Sequence, residues 1–183
     1  MPNLDLKIFF WLNNLAGHSK ILDDFFIACA SSVLPYLFII ILLLLVYFSR
    51  YSKKEKITIL GMAFLSAFIS HFGVAEIIRF FYHHPRPFIT YSVHQLIPES
   101  GWSFPSGHAT FFFALAAAVY LYNKKWGWGL FLIALIITLS RIIVGVHYPS
   151  DILGGMVIGM IVAYLTVSCF RKCRRLASHT KQA

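Results

Sequence analysis

Residues 140–170 read SRIIVGVHYPSDILGGMVIGMIVAYLTVSCF. From residue 150 to 170 the only charged side chain is Asp151, and about 20 apolar residues suffice to cross a bilayer as a helix. Immediately before this run stand Ser140, Arg141 and His147, with Asp151 at its start. Ionisable groups at membrane depth are costly, so a cluster of them beside an apolar span marks a functional site. One stretch thus sets both the fold class, an all-α integral membrane protein, and the place to look for its chemistry.

The rest of the chain agrees. Of 183 residues, 58% are hydrophobic and 13% charged; a soluble domain carries about 25% charged residues. Further spans are expected at about 33–49, 57–82, 107–123 and 126–145, giving about five transmembrane helices. Pro35 stands near the start of the first, where it either kinks the chain or begins a helix. Residues 4–15 and 20–32 are each too short to cross alone. Leu4, Ile8, Phe9, Leu12 and Leu15 recur at helical spacing, so this part is expected to lie along the interface. The layout is a single domain: interfacial helices over 1–32, a transmembrane core over 33–170 and a basic cytoplasmic tail over 171–183. Met1 to Leu15 has neither the basic start nor the small-residue cleavage site of a signal peptide.

The net charge of +9 does not indicate nucleic acid, because the basic residues fall in short clusters between apolar runs. Arg50, Lys53, Lys54 and Lys56 follow the first span, Lys124 and Lys125 the third, and Arg171, Lys172, Arg174, Arg175 and Lys181 the last. Five spans put all three clusters on one side, which the positive-inside bias makes cytoplasmic. The protein is therefore expected in the cell membrane, multi-pass, with its C-terminus inside. The opposite side holds few basic residues, yet Arg79, Arg86 and Arg141 stand there at helix ends. From Lys56 to Arg79 a helix rises roughly 34 Å, a full crossing, and from Lys125 to Arg141 only roughly 24 Å. Arg141 is thus expected below the outer surface, at the floor of a pocket.

Three polar patches converge on that end: Arg79 to Pro87, Ser103 to His108, and Ser140 to Asp151. The residue types suit phosphoryl transfer. Arginine forks match phosphate oxygens. Ser106, Gly107 and His108 open a helix, where free N–H groups and the dipole favour an anion, and Gly107 lets backbone approach closely. His147 and Asp151 are four residues apart and share a face if the turn is helical. A carboxylate on one imidazole nitrogen fixes the tautomer and raises basicity at the other, which makes His147 a covalent nucleophile. His108 is a second histidine, placed to protonate a leaving oxygen. The acids are too few for a metal cage; no metal or other cofactor is expected, the arginines supplying the positive charge.

These patches resemble the three signature motifs of the type 2 phosphatidic acid phosphatase (PAP2) superfamily. Arg79 through Arg86-Pro87 matches the first, with Arg79 where Lys is usual. Pro105-Ser106-Gly107-His108 matches the second, and Ser140-Arg141, His147 and Asp151 the third. The resemblance implies a PAP2-type helical bundle and a metal-independent phosphohistidine mechanism. His147 is then the nucleophile, Asp151 its orienting partner, and His108 the acid that later helps activate water. Arg79, Arg86, Ser106, Gly107 and Arg141 bind phosphate. The loop from Pro85 to Pro98 is similar to the bacitracin-resistance type of undecaprenyl-diphosphate phosphatase. That implies a polyprenyl diphosphate substrate among membrane lipids, hydrolysed to the monophosphate to recycle a cell-wall carrier. Phosphatidylglycerol phosphate or phosphatidate is the alternative.

Blander roles compete for some of these residues. Asp151 after Pro149-Ser150 could simply cap a helix, and the arginines could snorkel to headgroups. A catalytically silent lipid-binding scaffold would not need His108, His147 and Asp151 together. A transporter would need a polar route across the bilayer, of which the spans offer only His71. Glu76, one turn from Arg79, is expected to pair with it. His83, His84 and His94 read as interfacial, and Trp102, Trp126 and Trp128 as interface belts. Cys29, Cys169 and Cys173 form no disulfide framework and read as inert thiols. Oligomeric state is left open by the sequence.

Overall fold

The computed structural model describes residues 4–31 and 33–179; Lys181, counted above with the basic tail, lies outside them. The helices are α1 (Leu4–Asn13), α2 (Lys20–Ser31), α3 (Val33–Tyr47), α4 (Lys53–Phe68), α5 (Glu76–Phe81), α6 (Pro87–Thr90), α7 (Gly107–Tyr120), α8 (Lys124–Ile143) and α9 (Pro149–His179). A π-helical stretch, Ile69–Ala75, joins α4 to α5, so Lys53–Phe81 is one continuous helix. Among the described residues there is no strand.

Local chemistry starts the helices where they start. Ser52 and Glu55 form a reciprocal capping box at α4. Asn123 accepts the Trp126 N–H at α8, Ser106 caps α7, and Pro149 opens α9 with its φ already helical.

The central helix is α7. Its sequence, GHATFFFALAAAVY, is apolar all round, and Ala109, Thr110 and Phe112 to Val119 are buried. It packs against α4, α8 and α9. Close approach to α9 depends on Gly155 and Gly159: a Cβ on either would meet the α7 backbone, at the Ser106 carbonyl (2.9 Å) and the Thr110 carbonyl (2.6 Å) respectively. The outside of the bundle is also apolar. On α9, Leu153, Val157, Ile161 and Leu165 form an exposed stripe at four-residue spacing. In water such a stripe is a liability; in lipid it is the required surface.

Lys53–Phe81, Lys124–Ile143 and Pro149–Ala177 are each long and apolar enough to cross a membrane, and α2 with α3 qualify together as a bent pair. The expected span at 107–123 is shorter than anticipated, ending at Tyr120. It is walled in by α4, α8 and α9. Pro35 lies in the first turn of α3.

The alternating helix directions put Arg79, His108, Arg141, His147 and Asp151 at one end of the bundle and the basic clusters at the other. At the basic end, Arg171 donates to the Leu121 carbonyl at 2.6 Å and lies over the Tyr122 ring. Cys29 is buried, Cys169 and Cys173 are exposed, and all three are free thiols.

Candidate active site

His147 sits in the short turn between α8 and α9. The turn is possible because Gly145 takes φ +82°, and a Cβ there would come within 2.5 Å of the His94 carbonyl. The imidazole is 1% exposed. Its Nδ1 lies 3.3 Å from Asp151 Oδ2, and Arg86 Nη1 lies 3.3 Å from its Nε2. Burial lowers the imidazole to about 4, against the raising influence of Asp151. The imidazole is thus held neutral, with one ring nitrogen a donor and the other an acceptor.

Asp151 is fully buried in the first turn of α9, where the helix dipole favours an anion. Its Oδ2 accepts from Ser103 Oγ at 2.5 Å and from the Tyr148 N–H at 2.8 Å. Its Oδ1 faces His84 Nδ1 at 3.4 Å. Its backbone carbonyl accepts the Ser106 N–H at 3.1 Å, so the starts of α7 and α9 are joined.

Arg86, 4% exposed, donates from Nε to the Gly101 carbonyl, from Nη2 to that of Ser100 and from Nη1 to that of Val146. Burial brings it down to about 10, with Glu99 opposing, and it remains a cation. Arg141 is 3% exposed within the protein and pairs with Glu99. Arg79 donates to Glu76 Oε1 at 2.6 Å, the pairing expected, and to the Pro105 carbonyl at 2.8 Å. That second bond ties it to the Ser106-Gly107-His108 turn. Glycine at 107 leaves room for two neighbours: a Cβ would come 2.7 Å from His71 Cε1 and 3.1 Å from Arg79 Nη2, so a side chain there displaces one or both. His108, in the first turn of α7, is within electrostatic range of Arg141, His147 and Arg86.

All the residues singled out by spacing therefore gather at one end of the bundle. One detail differs from expectation. Ser106 spends its N–H on Asp151 and its hydroxyl on the Ala109 N–H, so the N–H groups left at this helix start for an anion are those of Gly107 and His108. Among the described residues, no three His, Cys, Asp or Glu side chains are grouped to hold a metal ion.

Five contributors were not foreseen in these places. Glu99 pairs with Arg141, Ser103 bonds Asp151, and His84 faces the same carboxylate. The other two come from α1. Asp5 accepts from the Ser150 N–H and Oγ at 2.8 and 2.7 Å, at the start of α9. Asn13 donates to the carbonyls of Ile143 and His94 and accepts the His94 N–H, bracing the turn that carries His147. So α1 does more than lie along an interface. His83, by contrast, stacks on Trp102 with centroids 4.5 Å apart.

A buried, carboxylate-backed imidazole touched by one buried arginine, with Arg79 and Arg141 at the same end of the bundle, is chemistry suited to phosphoryl transfer. Residues 57–175 match the PAP2 superfamily, and the chain belongs to it, a family of membrane lipid phosphatases. It is 31% identical over 164 residues to undecaprenyl-diphosphatase BcrC of Bacillus subtilis, covering 88% of this chain and 82% of that protein. It is 28% identical over 181 residues to a lipid A 4'-phosphatase of Porphyromonas gingivalis, covering 93% and 75%. The crystal structure of Aquifex aeolicus LpxE superposes with a TM-score of 0.70 at 31% identity, covering 90% of this chain and 95% of that one.

Proposed function

We propose that the protein hydrolyses undecaprenyl diphosphate to undecaprenyl phosphate on the outer face of the membrane, through a phosphohistidine on His147. The observation that carries the mechanism is the double address of the His147 ring: Asp151 at Nδ1 and Arg86 at Nε2. With Nδ1 turned to the carboxylate, the Nε2 lone pair is the one that attacks the terminal phosphorus. The bond from phosphorus to the bridging oxygen breaks, and His108 gives that oxygen its proton. Arg79, Arg86, Arg141 and the N–H groups of Gly107 and His108 take up the negative charge of the phosphoryl group in transit. Water, deprotonated by His108, then attacks the phosphohistidine, and inorganic phosphate leaves. Asp151 holds the ring throughout and offsets the positive charge it gains.

The substrate reading rests on the Pro85 to Pro98 loop and on the BcrC relative. A panel assay tests it: phosphate release by the purified protein from undecaprenyl diphosphate, a short prenyl diphosphate, phosphatidylglycerol phosphate, phosphatidate and lipid A. The prenyl diphosphates are expected to turn over fastest. Preference for a glycerolipid would move the substrate and leave the mechanism. Preference for lipid A would favour the second reading, which the P. gingivalis relative supports. The sidedness and the layout of interfacial segment, core and basic tail rest on the charge clusters. A C-terminal green fluorescent protein fusion is expected to fluoresce, as it does only in the cytoplasm; a dark fusion would reverse the orientation.

A further inference from the structure

The loop between α6 and α7 places a carboxylate where the proposed reaction needs an anion to come and go. Glu99 pairs with Arg141 through Oε2, and its Oε1 stands 3.8 Å from Arg86 Nη2. The two arginine side chains are 3% and 5% exposed and Glu99 27%, so the acid reaches in from the open side. Arg86 is well served by backbone carbonyls without it. Arg141 is not: apart from Glu99 its fork reaches the Ala30 carbonyl at 3.4 Å, and its buried Nε has no hydrogen-bond partner among the described residues. A guanidinium at this depth with no counter-charge is strongly unfavourable. Glu99 supplies that counter-charge from within the chain. Burial opposes its ionisation, but Arg141 and Arg86 outweigh this and hold its carboxyl below the ordinary value, so it stays charged through the neutral range.

Carboxylate and phosphate oxygens present the same target to an arginine fork. Arg86 also touches Nε2 of His147, so the groups that hold Glu99 border the nucleophilic nitrogen.

We propose that Glu99 is a specificity-determining residue: its carboxylate holds the phosphate position as a counter-anion, and a substrate enters by exchanging its terminal phosphoryl group for it. This rests on the reading of Arg86 and Arg141 as phosphate ligands. The exchange sets a threshold for entry. A terminal phosphoryl group brings three non-bridging oxygens and about −1.5 to −2 charge, enough to serve both arginines in place of the acid. A phosphodiester brings two such oxygens and a single charge, and does not repay the displacement. The site thereby rejects the diester headgroups of membrane lipids, through a built-in competitor rather than a tighter fit.

The test is calorimetric binding of inorganic phosphate and of dimethyl phosphate to the purified full-length protein in detergent. In Glu99→Gln, inorganic phosphate is expected to bind about tenfold tighter, the worth of one charge-assisted hydrogen bond no longer contested. Dimethyl phosphate, ignored by the wild type, is expected to bind measurably. Glu99→Asp, which keeps the charge but shortens its reach, is expected to tighten phosphate binding less. Equal or weaker phosphate binding by a folded Glu99→Gln protein overturns the proposal. If that variant does not fold, unchanged or weaker binding by Glu99→Asp overturns it instead. Arg86→Ala and Arg141→Ala separate the two levels. Should both bind phosphate as the wild type does, the phosphate site itself is misplaced. Should both lose it while Glu99→Gln gains nothing, the exchange alone fails.

Discussion

His84 Nδ1 lies 3.4 Å from Asp151 Oδ1, the carboxylate oxygen that His147 leaves free. One acid thus serves two histidines, and their titrations pull in opposite directions. The carboxylate raises His84 above its ordinary 6.5, while burial lowers His147 to about 4.

The consequence is a stability profile with two limbs. Between pH 4 and 6.5 the unfolded chain takes a proton at His147 that the folded protein refuses, so stability rises with pH. His84 does the reverse. Its contribution is fully present below 6.5 and is lost as pH rises through its raised folded value. Thermal unfolding in detergent as a function of pH is expected to show His84→Asn losing the decline above 6.5, and His147→Ala losing part of the rise below it. A His84→Asn curve parallel to the wild type would remove the His84–Asp151 coupling.

His147→Ala is expected to abolish phosphate release while the protein stays folded. Asp151→Asn, which spares the ring's position but not its charge balance, should lower kcat by about 10²- to 10⁴-fold. Rapid-quench detection of acid-labile, base-stable phosphoprotein in the wild type, absent from His147→Ala, checks the covalent step. Unchanged turnover in His147→Ala would sink the mechanism.

Gly107→Ala puts a methyl group against His71 and the Arg79 fork. Misplacing Arg79 by an ångström is expected to cost about 10- to 100-fold in kcat/KM. The double variant His71→Ala, Gly107→Ala, with the ring removed, should recover a substantial part of that loss. No recovery would mean that the steric clash with His71 is not the cause.

Asn13 is 1% exposed and makes three hydrogen bonds across the chain. Asn13→Leu leaves the buried Ile143 carbonyl unpaired, at an expected cost of about 1–3 kcal/mol, and the part-buried His94 groups at less. Equilibrium unfolding measures this. Turnover should fall with it, because the same bonds brace the turn that carries His147.

The catalytic outline was legible because its members stand beside helix ends, where spacing and apolar runs both speak. His147 and Asp151 are one helical turn apart, Ser106 to His108 open a helix, and Arg79 and Arg141 lie at the far ends of long apolar stretches. Glu99 was not legible, since it belongs to an irregular loop with no period to assign it a face. Asp5 and Asn13 act on partners up to 145 residues away, and α1 shows only an apolar spacing that suits a lipid surface as well as a protein one. His83 and His84 lie outside any helix, in a tight turn where the His84 N–H donates to the Tyr82 carbonyl at 3.2 Å. No helical period assigns either ring a face; in the structure His83 stacks on Trp102 and His84 turns to Asp151.

The π-helical stretch Ile69–Ala75 has a geometric effect on the site. Each π turn takes up one residue more than an α turn, and one residue is about 100° of rotation on an α-helix. The stretch therefore acts as a phase shifter within a single span. It rotates the face carrying Glu76 and Arg79 relative to the face that α4 buries against α7. Deleting one residue between Ile69 and Ala75 would leave the span hydrophobic and long enough, yet turn Arg79 away from the Pro105 carbonyl. The dial that aims this arginine thus lies in the stretch before it, among residues of which His71 alone is ionisable.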